Sequence, residues 1–294
     1  MQEQQPFHFS YPAMGTQWAV TVWDHVQKKN LLALQEEVIR QTRLFDATYS
    51  RFTSASLISS LVARRGRVRV PSDLVQMLRL YSRLYDLSCG KCNPLIGCTL
   101  SDMGYDAQYS LAPKQHIRTA PDFHDALTIV DDETIDLHQE VSIDLGALGK
   151  GYFVDVLSAF LANQGIERFL VNGSGDIYYR GAGVPIRCGL EHPGDASKAI
   201  GVLTLTEGAF CASAGNRRRW AMYHHTIDPQ TLVSPQTILA TWTVARNAAL
   251  ADGLATCLFL VEPERFTHAF PFEYCILSDR YTVNRSAGFT AELF

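Results

Sequence analysis

No run of about 18 consecutive apolar residues occurs in this chain, so no segment is long and apolar enough to span a bilayer as a helix, and no membrane partner is expected. Positive charge is not in excess either. Twenty-six Lys and Arg stand against 30 Asp and Glu, a formal net charge of −4, so a nucleic-acid backbone would meet no attracting field and no nucleic-acid partner is expected. The first residues, MQEQQPFHFSYPAMGTQW, lack the basic start and apolar stretch of a secretory leader, which makes the cytoplasm the expected location. There is no repeat of 20 to 50 residues and no Pro/Ser-rich linker, so residues 1–294 are expected to form a single catalytic unit. Cysteine is present in an odd number, seven, which leaves at least one thiol unpaired and disfavours a disulfide scaffold. Three of the seven lie in SCGKCNPLIGC, as Cys89, Cys92 and Cys98, but neither a second C-x-x-C nor an H-x-x-H completes a zinc set. The simpler reading is small buried side chains; a metal or redox role is the alternative.

What is present is the material of a core: 47% hydrophobic residues and 19% charged. Alternation in TQWAVTVW predicts a strand over 16–23. Apolar residues at helical spacing predict amphipathic helices over 31–45 and 74–87. A hairpin turning at Asp131 and Asp132 is expected within 126–137, and a further strand is expected to begin over 140–144. Phe153, Val156, Leu157, Phe160 and Leu161 predict a helix that Gly165 stops. FLVNGSGDIYYRG reads as strand, glycine turn and strand; CGLEHP, GVLTLTEGAFCAS and LATWTVA read as strands, followed by a helix near 248–260. Mixed order of this kind predicts an α+β fold with a mixed β-sheet core and packed helices.

Four constellations carry chemistry. DLGALGKGYFVD sets Asp144 before a glycine-rich turn and Lys150 at a helix start, where free amides and a cation suit a phosphorylated ligand; it lacks the Walker A spacing, and a plain glycine turn with a surface lysine is the other reading. In ALADGLATCLF, Asp252 and Thr256 lie four apart and so share a helix face. They are hard oxygen donors of the kind magnesium takes, or else an aspartate and a threonine bonded back to the helix. His225, in HHTIDPQT, titrates near neutrality and precedes an Asp-Pro turn; nothing in its spacing separates a base from a structural histidine. Arg217, Arg218 and Arg219 form either a phosphate clamp or a solvated face.

Taken in order, these segments resemble the ApbE family of FAD:protein FMN transferases. The resemblance is carried by Met14-Gly15-Thr16, Ser50-Arg51-Phe52 with Ser56, Asn93-Pro94-Leu95-Ile96-Gly97 with Met103-Gly104-Tyr105, DLGALGKGYFVD, Val171-Asn172 through Asp176, His225 to Thr231, and Ala251 to Thr256. It implies an ApbE-like, T-fold-related architecture, with FAD as substrate and Mg2+ as cofactor. It also implies that Asp252, Thr256 and the Ala147 carbonyl hold the metal, that Met14, Phe52, Gly104, Tyr105, Asp144 and Lys150 line the flavin nucleotide site, and that His225 is the catalytic base. The implied reaction moves FMN from FAD to a threonine or serine hydroxyl of an acceptor flavoprotein and releases AMP. A hydrolase that splits FAD to FMN and AMP, and a flavin-binding module without catalysis, are the rival readings. The sequence departs from the family pattern where Asn93 replaces an aspartate, Leu232 a glycine, and Ala212-Ser213-Ala214-Gly215 a T-S-G.

Overall fold

The computed structural model describes residues 5–24, 27–216 and 218–294. Its centre is an eight-stranded antiparallel sheet whose spatial order follows chain order: Phe7–Ala13, Thr16–Val22, Phe169–Gly173, Asp176–Arg180, Glu207–Ala214, Ile238–Ala245, Phe272–Ser278 and Val283–Arg285. Each strand adds beside its predecessor, and the rest of the fold is inserted between neighbours except Glu292–Leu293, which follows the last strand. The longest insertion, residues 23–168, carries the Lys28–Tyr49, Ser72–Leu87 and Gly149–Asn163 helices. The Ala248–Cys257 helix follows the sixth strand of the sheet directly.

Alternation along the strands sends side chains to two different cores. In Glu207–Ala214, Ala209 and Cys211 face the helices, where Val38, Leu74, Leu78, Phe153, Leu157 and Leu254 form the main core. Phe210 points the other way, with Ile177, Tyr179, Trp242 and Leu277, onto the small sheet formed by Ile186–His192, Asp195–Leu205 and Glu292–Leu293. A third cluster, built on Leu100, Met103, Tyr105, Trp220 and Ile227, sits apart from both.

The expected α+β architecture is the one observed, and most elements fall where periodicity puts them. Two do not. Residues 140–144 form no strand: Ser142 accepts from the Gly97 amide at 3.0 Å and the Asp144 amide donates to Pro94 at 2.7 Å, two bonds that never extend into a ladder. The helix expected near 248–260 ends at Cys257. All seven cysteines are free thiols; Cys92 is buried in the helical core and Cys89 is exposed, so the C-x-x-C does not act as a unit. No helix among the described residues is long and apolar enough to cross a membrane.

Candidate active site

The site is built where two helices meet at Gly151. A Cβ there would lie 2.2 Å from the Ala248 carbonyl oxygen and 2.7 Å from the Asp252 Cβ, so only glycine permits this approach. The crossing brings Lys150 of one helix beside Asp252 of the other, with Nζ 3.8 Å from Oδ2. Lys150 also pairs with Asp176, which the glycine turn of Ser174 and Gly175 presents at the start of its strand. Both carboxylates are almost fully buried, and the lysine is 24% exposed. Burial first, and the charge of Asp176 second, push the Asp252 carboxyl up to about 7. Two carboxyl groups thus share one ammonium at this junction. Asp176 Oδ1 is buried and has no hydrogen-bond partner.

Thr256, one helical turn beyond Asp252, donates at 3.5 Å to the Ala147 carbonyl. The peptide before it is held by Tyr81, whose hydroxyl accepts the Ala147 amide at 3.1 Å; burial holds the hydroxyl well above its ordinary range, so it stays protonated. The Ala248–Cys257 helix is tied to the sheet by Thr243, which donates to the Ala251 carbonyl at 2.7 Å, and by Thr241, which donates to that of Ala255 at 2.6 Å. Asp252 and Thr256 thus stand one turn apart on one helix, with the Ala147 carbonyl beside Thr256. No cluster of three or more His, Cys, Asp or Glu side chains suited to a metal exists among the described residues; the oxygen set here has two carboxylates, one hydroxyl and one carbonyl.

Two cavities open from this junction. The first, about 310 Å³, is bordered by Met14, Phe52, Tyr105, Tyr109 and Asp144. Phe52 stacks on Tyr109 with ring centroids 5.4 Å apart, and Tyr105 stacks on Trp220 at 5.6 Å. The Arg51 guanidinium lies 4.2 Å from the Phe52 ring centroid, pairs with Asp144 and donates to the Tyr105 carbonyl at 2.8 Å. Asp144 therefore serves the wall as well as the cavity, since it also accepts the Gly146 amide at 2.7 Å. Gly104 does not border the cleft; at φ +98 it turns the chain so that Tyr105 does. The second cavity, about 540 Å³, is bordered by Ser174, Asp176, Arg187, Ser213, Trp242 and Asp252. Lys150, Thr256, Arg218 and His225 border both.

The two adjacent histidines divide their roles. His224 is buried, its ring bonded to the Pro235 carbonyl at 2.8 Å, and burial lowers its pKa. His225 is half-buried and faces the junction. The next residue, Thr226, borders the first cavity with a buried hydroxyl that has no partner. Of the three arginines, Arg218 borders both cavities, Arg219 is exposed, and Arg217 lies outside the described residues. The departures from the family pattern have local accounts. Asn93 accepts the Leu95 amide at 2.8 Å and donates to the Pro121 carbonyl at 2.8 Å, a donation that an aspartate cannot make. Leu232 stands at φ +59, a conformation that favours glycine.

Sequence reasoning thus brings nine of its ten site residues to the cleft, all but Gly104. It missed Tyr81, Arg51 and Asp176 as parts of the machinery. Tyr81 reads as one more apolar residue on a helix stripe. Arg51 and Asp176 stood inside recognised motifs, but nothing local assigns them Asp144 and Lys150 as partners.

A group of hard oxygen donors thus lies between an aromatic cavity and a larger one, within an α+β fold built on one antiparallel sheet. The ApbE family model matches residues 14–271, and the chain belongs to the ApbE family. The FAD:protein FMN transferase of Vibrio cholerae is 26% identical over 282 residues, covering 88% of this chain and 82% of that protein. The enzyme of the same name from Escherichia coli K12 is 30% identical over 135 residues, 43% of this chain and 38% of its own length. Among solved structures, the ApbE protein of Thermotoga maritima superposes with a TM-score of 0.84 at 21% identity, covering 97% of this chain and 98% of that one. The flavin transferase ApbE of Vibrio cholerae gives 0.79 at 23% identity, covering 97% and 98%.

Proposed function

We propose that this chain is a magnesium-dependent FAD:protein FMN transferase that moves the FMN moiety of FAD onto a threonine or serine hydroxyl of an acceptor flavoprotein and releases AMP. The observation that carries the reading is the junction of Asp252, Thr256 and the Ala147 carbonyl between two cavities. A dinucleotide has the matching shape, with two ring-bearing halves joined by a pyrophosphate. The aromatic cavity offers a ring a stacking surface, and the larger cavity has room for the other half. The shared name of the relatives supports the transferase reading.

The residues present fit magnesium. The donors are carboxylate, hydroxyl and carbonyl oxygens, two carboxyl groups share one ammonium, and Asp176 Oδ1 is a buried acceptor without a partner. Asp252, Thr256 and Ala147 would hold the ion, and bound there it supplies charge neutralisation and orientation for the pyrophosphate. Lys150 keeps Asp176 and Asp252 from repelling one another. The Thr226 hydroxyl gains an acceptor when a phosphate or sugar oxygen enters the first cavity. His225 takes the proton as the acceptor hydroxyl oxygen forms its bond to the FMN-side phosphorus and the bond to the AMP oxygen breaks; AMP departs with the bonding pair.

Purified protein incubated with FAD and Mg2+, with and without a threonine-bearing acceptor, tests the reading. Transfer gives AMP and an acceptor heavier by FMN, in equal amounts and only when acceptor is present. Release of FMN and AMP at the same rate in both samples would make the chain a hydrolase. Bound but unconsumed FAD would make it a flavin carrier.

A further inference from the structure

The two helices that carry the junction cap one another. Asp252, in the Ala248–Cys257 helix, accepts the Gly151 amide in the first turn of the Gly149–Asn163 helix at 2.9 Å. In return Asp155, in the Gly149–Asn163 helix, accepts the first two amides of the Ala248–Cys257 helix: Ala248 at 2.7 Å on Oδ1 and Ala249 at 2.8 Å on Oδ2. Each helix N-terminus, where unsatisfied N–H groups and the helix dipole favour an anion, is thus held by a carboxylate from the other helix. Only one of these two carboxylates belongs to the oxygen set. Asp155 borders neither cavity of the cleft; it lies on the far side of the crossing, with Tyr152, Tyr178 and Arg246 around it.

We infer that Asp155 is a positioning residue for the metal-binding oxygens: through the reciprocal cap it fixes where the Ala248–Cys257 helix lies along its partner, and so where Asp252 and Thr256 stand relative to Ala147 and Lys150. The inference rests on the magnesium reading of the junction. Its geometric basis is that the helix already has a cap of its own. Asn247 accepts the Leu250 amide at 2.9 Å, a bond within one segment that stabilises the helix without locating it. Asp155 supplies two hydrogen bonds that tie that N-terminus to the helix carrying Lys150. Because Gly151 brings the backbones into contact at the crossing, a slip of the helix there passes directly to Asp252.

Mn2+ in place of Mg2+ gives a readout independent of turnover, since free Mn2+ is counted by its paramagnetic resonance. Asp155→Asn keeps the shape but sets an amide against two N–H donors. It is expected to weaken Mn2+ binding about tenfold and to speed exchange of the Gly151 amide about tenfold in metal-free protein, with the core amides of Val38 and Leu78 unchanged. Asn247→Ala lowers thermal stability but is expected to leave Mn2+ affinity within twofold. Equal loss of affinity in both variants, or unchanged affinity and Gly151 exchange in Asp155→Asn, overturns the inference. A wild-type protein that binds no Mn2+ fails differently, because it removes the magnesium reading itself. In the unmutated protein, which needs no variant to fold, Ala248, Ala249 and Gly151 are expected to share one protection factor because the caps open together. Protection factors more than tenfold apart would contradict the reciprocal cap.

Discussion

The junction and the aromatic cavity are two ends of one site built by opposite means. At the junction, Asp176 and Asp252 side chains are 2% and 5% exposed, and their charges are set against Lys150 and helix amides before any ligand arrives. At the aromatic end, Tyr109 is 50% exposed, and Tyr109, Leu111, Arg218 and Leu232 all stand at positive φ. Fixed charges that need not reorganise are what a reaction at phosphorus requires, whereas a ring requires only surfaces to lie against. The proposed division of labour is chemistry at the buried, charged end and recognition at the aromatic one. Substitutions at the junction should therefore act on turnover and stability, and substitutions at the aromatic end on affinity.

The largest effect is expected from Asp252→Ala. It leaves Lys150 paired one to one with Asp176, so the fold should survive, while kcat at ordinary Mg2+ falls about 10³-fold or more, roughly 4 kcal/mol. Lys150→Met should come next. Asp176 and Asp252 are then buried without a cation, at a cost of about 3 kcal/mol in denaturant unfolding. Burial and Asp176 already raise the Asp252 carboxyl to about 7, and losing the Lys150 charge that lowers it raises it further, so the destabilisation grows as pH rises through neutrality and shrinks as pH falls and Asp252 takes up a proton. At the boundary between the two ends, His225→Ala should slow transfer about 10²-fold at saturating FAD with KM little changed. Phe52→Ala belongs to the aromatic end and should raise the FAD KM about tenfold, or 1.4 kcal/mol, with kcat kept. The smallest change is at Leu232. Leu232→Gly releases about 1 kcal/mol of left-handed strain but gives up a half-buried side chain, for a net gain of about 0.5 kcal/mol in chemical denaturation. Leu232→Ala loses the contacts without the relief and should destabilise.

What was legible in the sequence is what repeats locally. Helical stripes such as Leu74, Met77, Leu78 and Tyr81 give element and face together, and the Gly-rich stretch before Lys150 marks a ligand-facing turn. The failure at 140–144 has the same origin. Val141 and Ile143 alternate with Ser142 as a strand would, but the segment's bonds run singly to Pro94 and Gly97, and alternation does not reveal whether a partner strand exists. Pairings across the fold were illegible for the same reason. Asp144 meets Arg51 across 93 residues, and Asp155 caps a helix whose first residue, Ala248, is also 93 residues away. Asp155 was visible as a letter in DLGALGKGYFVD. Its partners are two backbone amides, which leave no trace in residue identity.

The account stands or falls on whether a protein hydroxyl receives the FMN. Intact masses of flavoproteins from cells with and without this chain test that directly. The expected result is at least one flavoprotein heavier by an FMN unit only in cells that contain the chain, with the added mass on a threonine or serine and lost when Asp252 is replaced by Ala. Identical masses in both sets of cells, alongside FAD breakdown to free FMN and AMP by the purified protein, would contradict it.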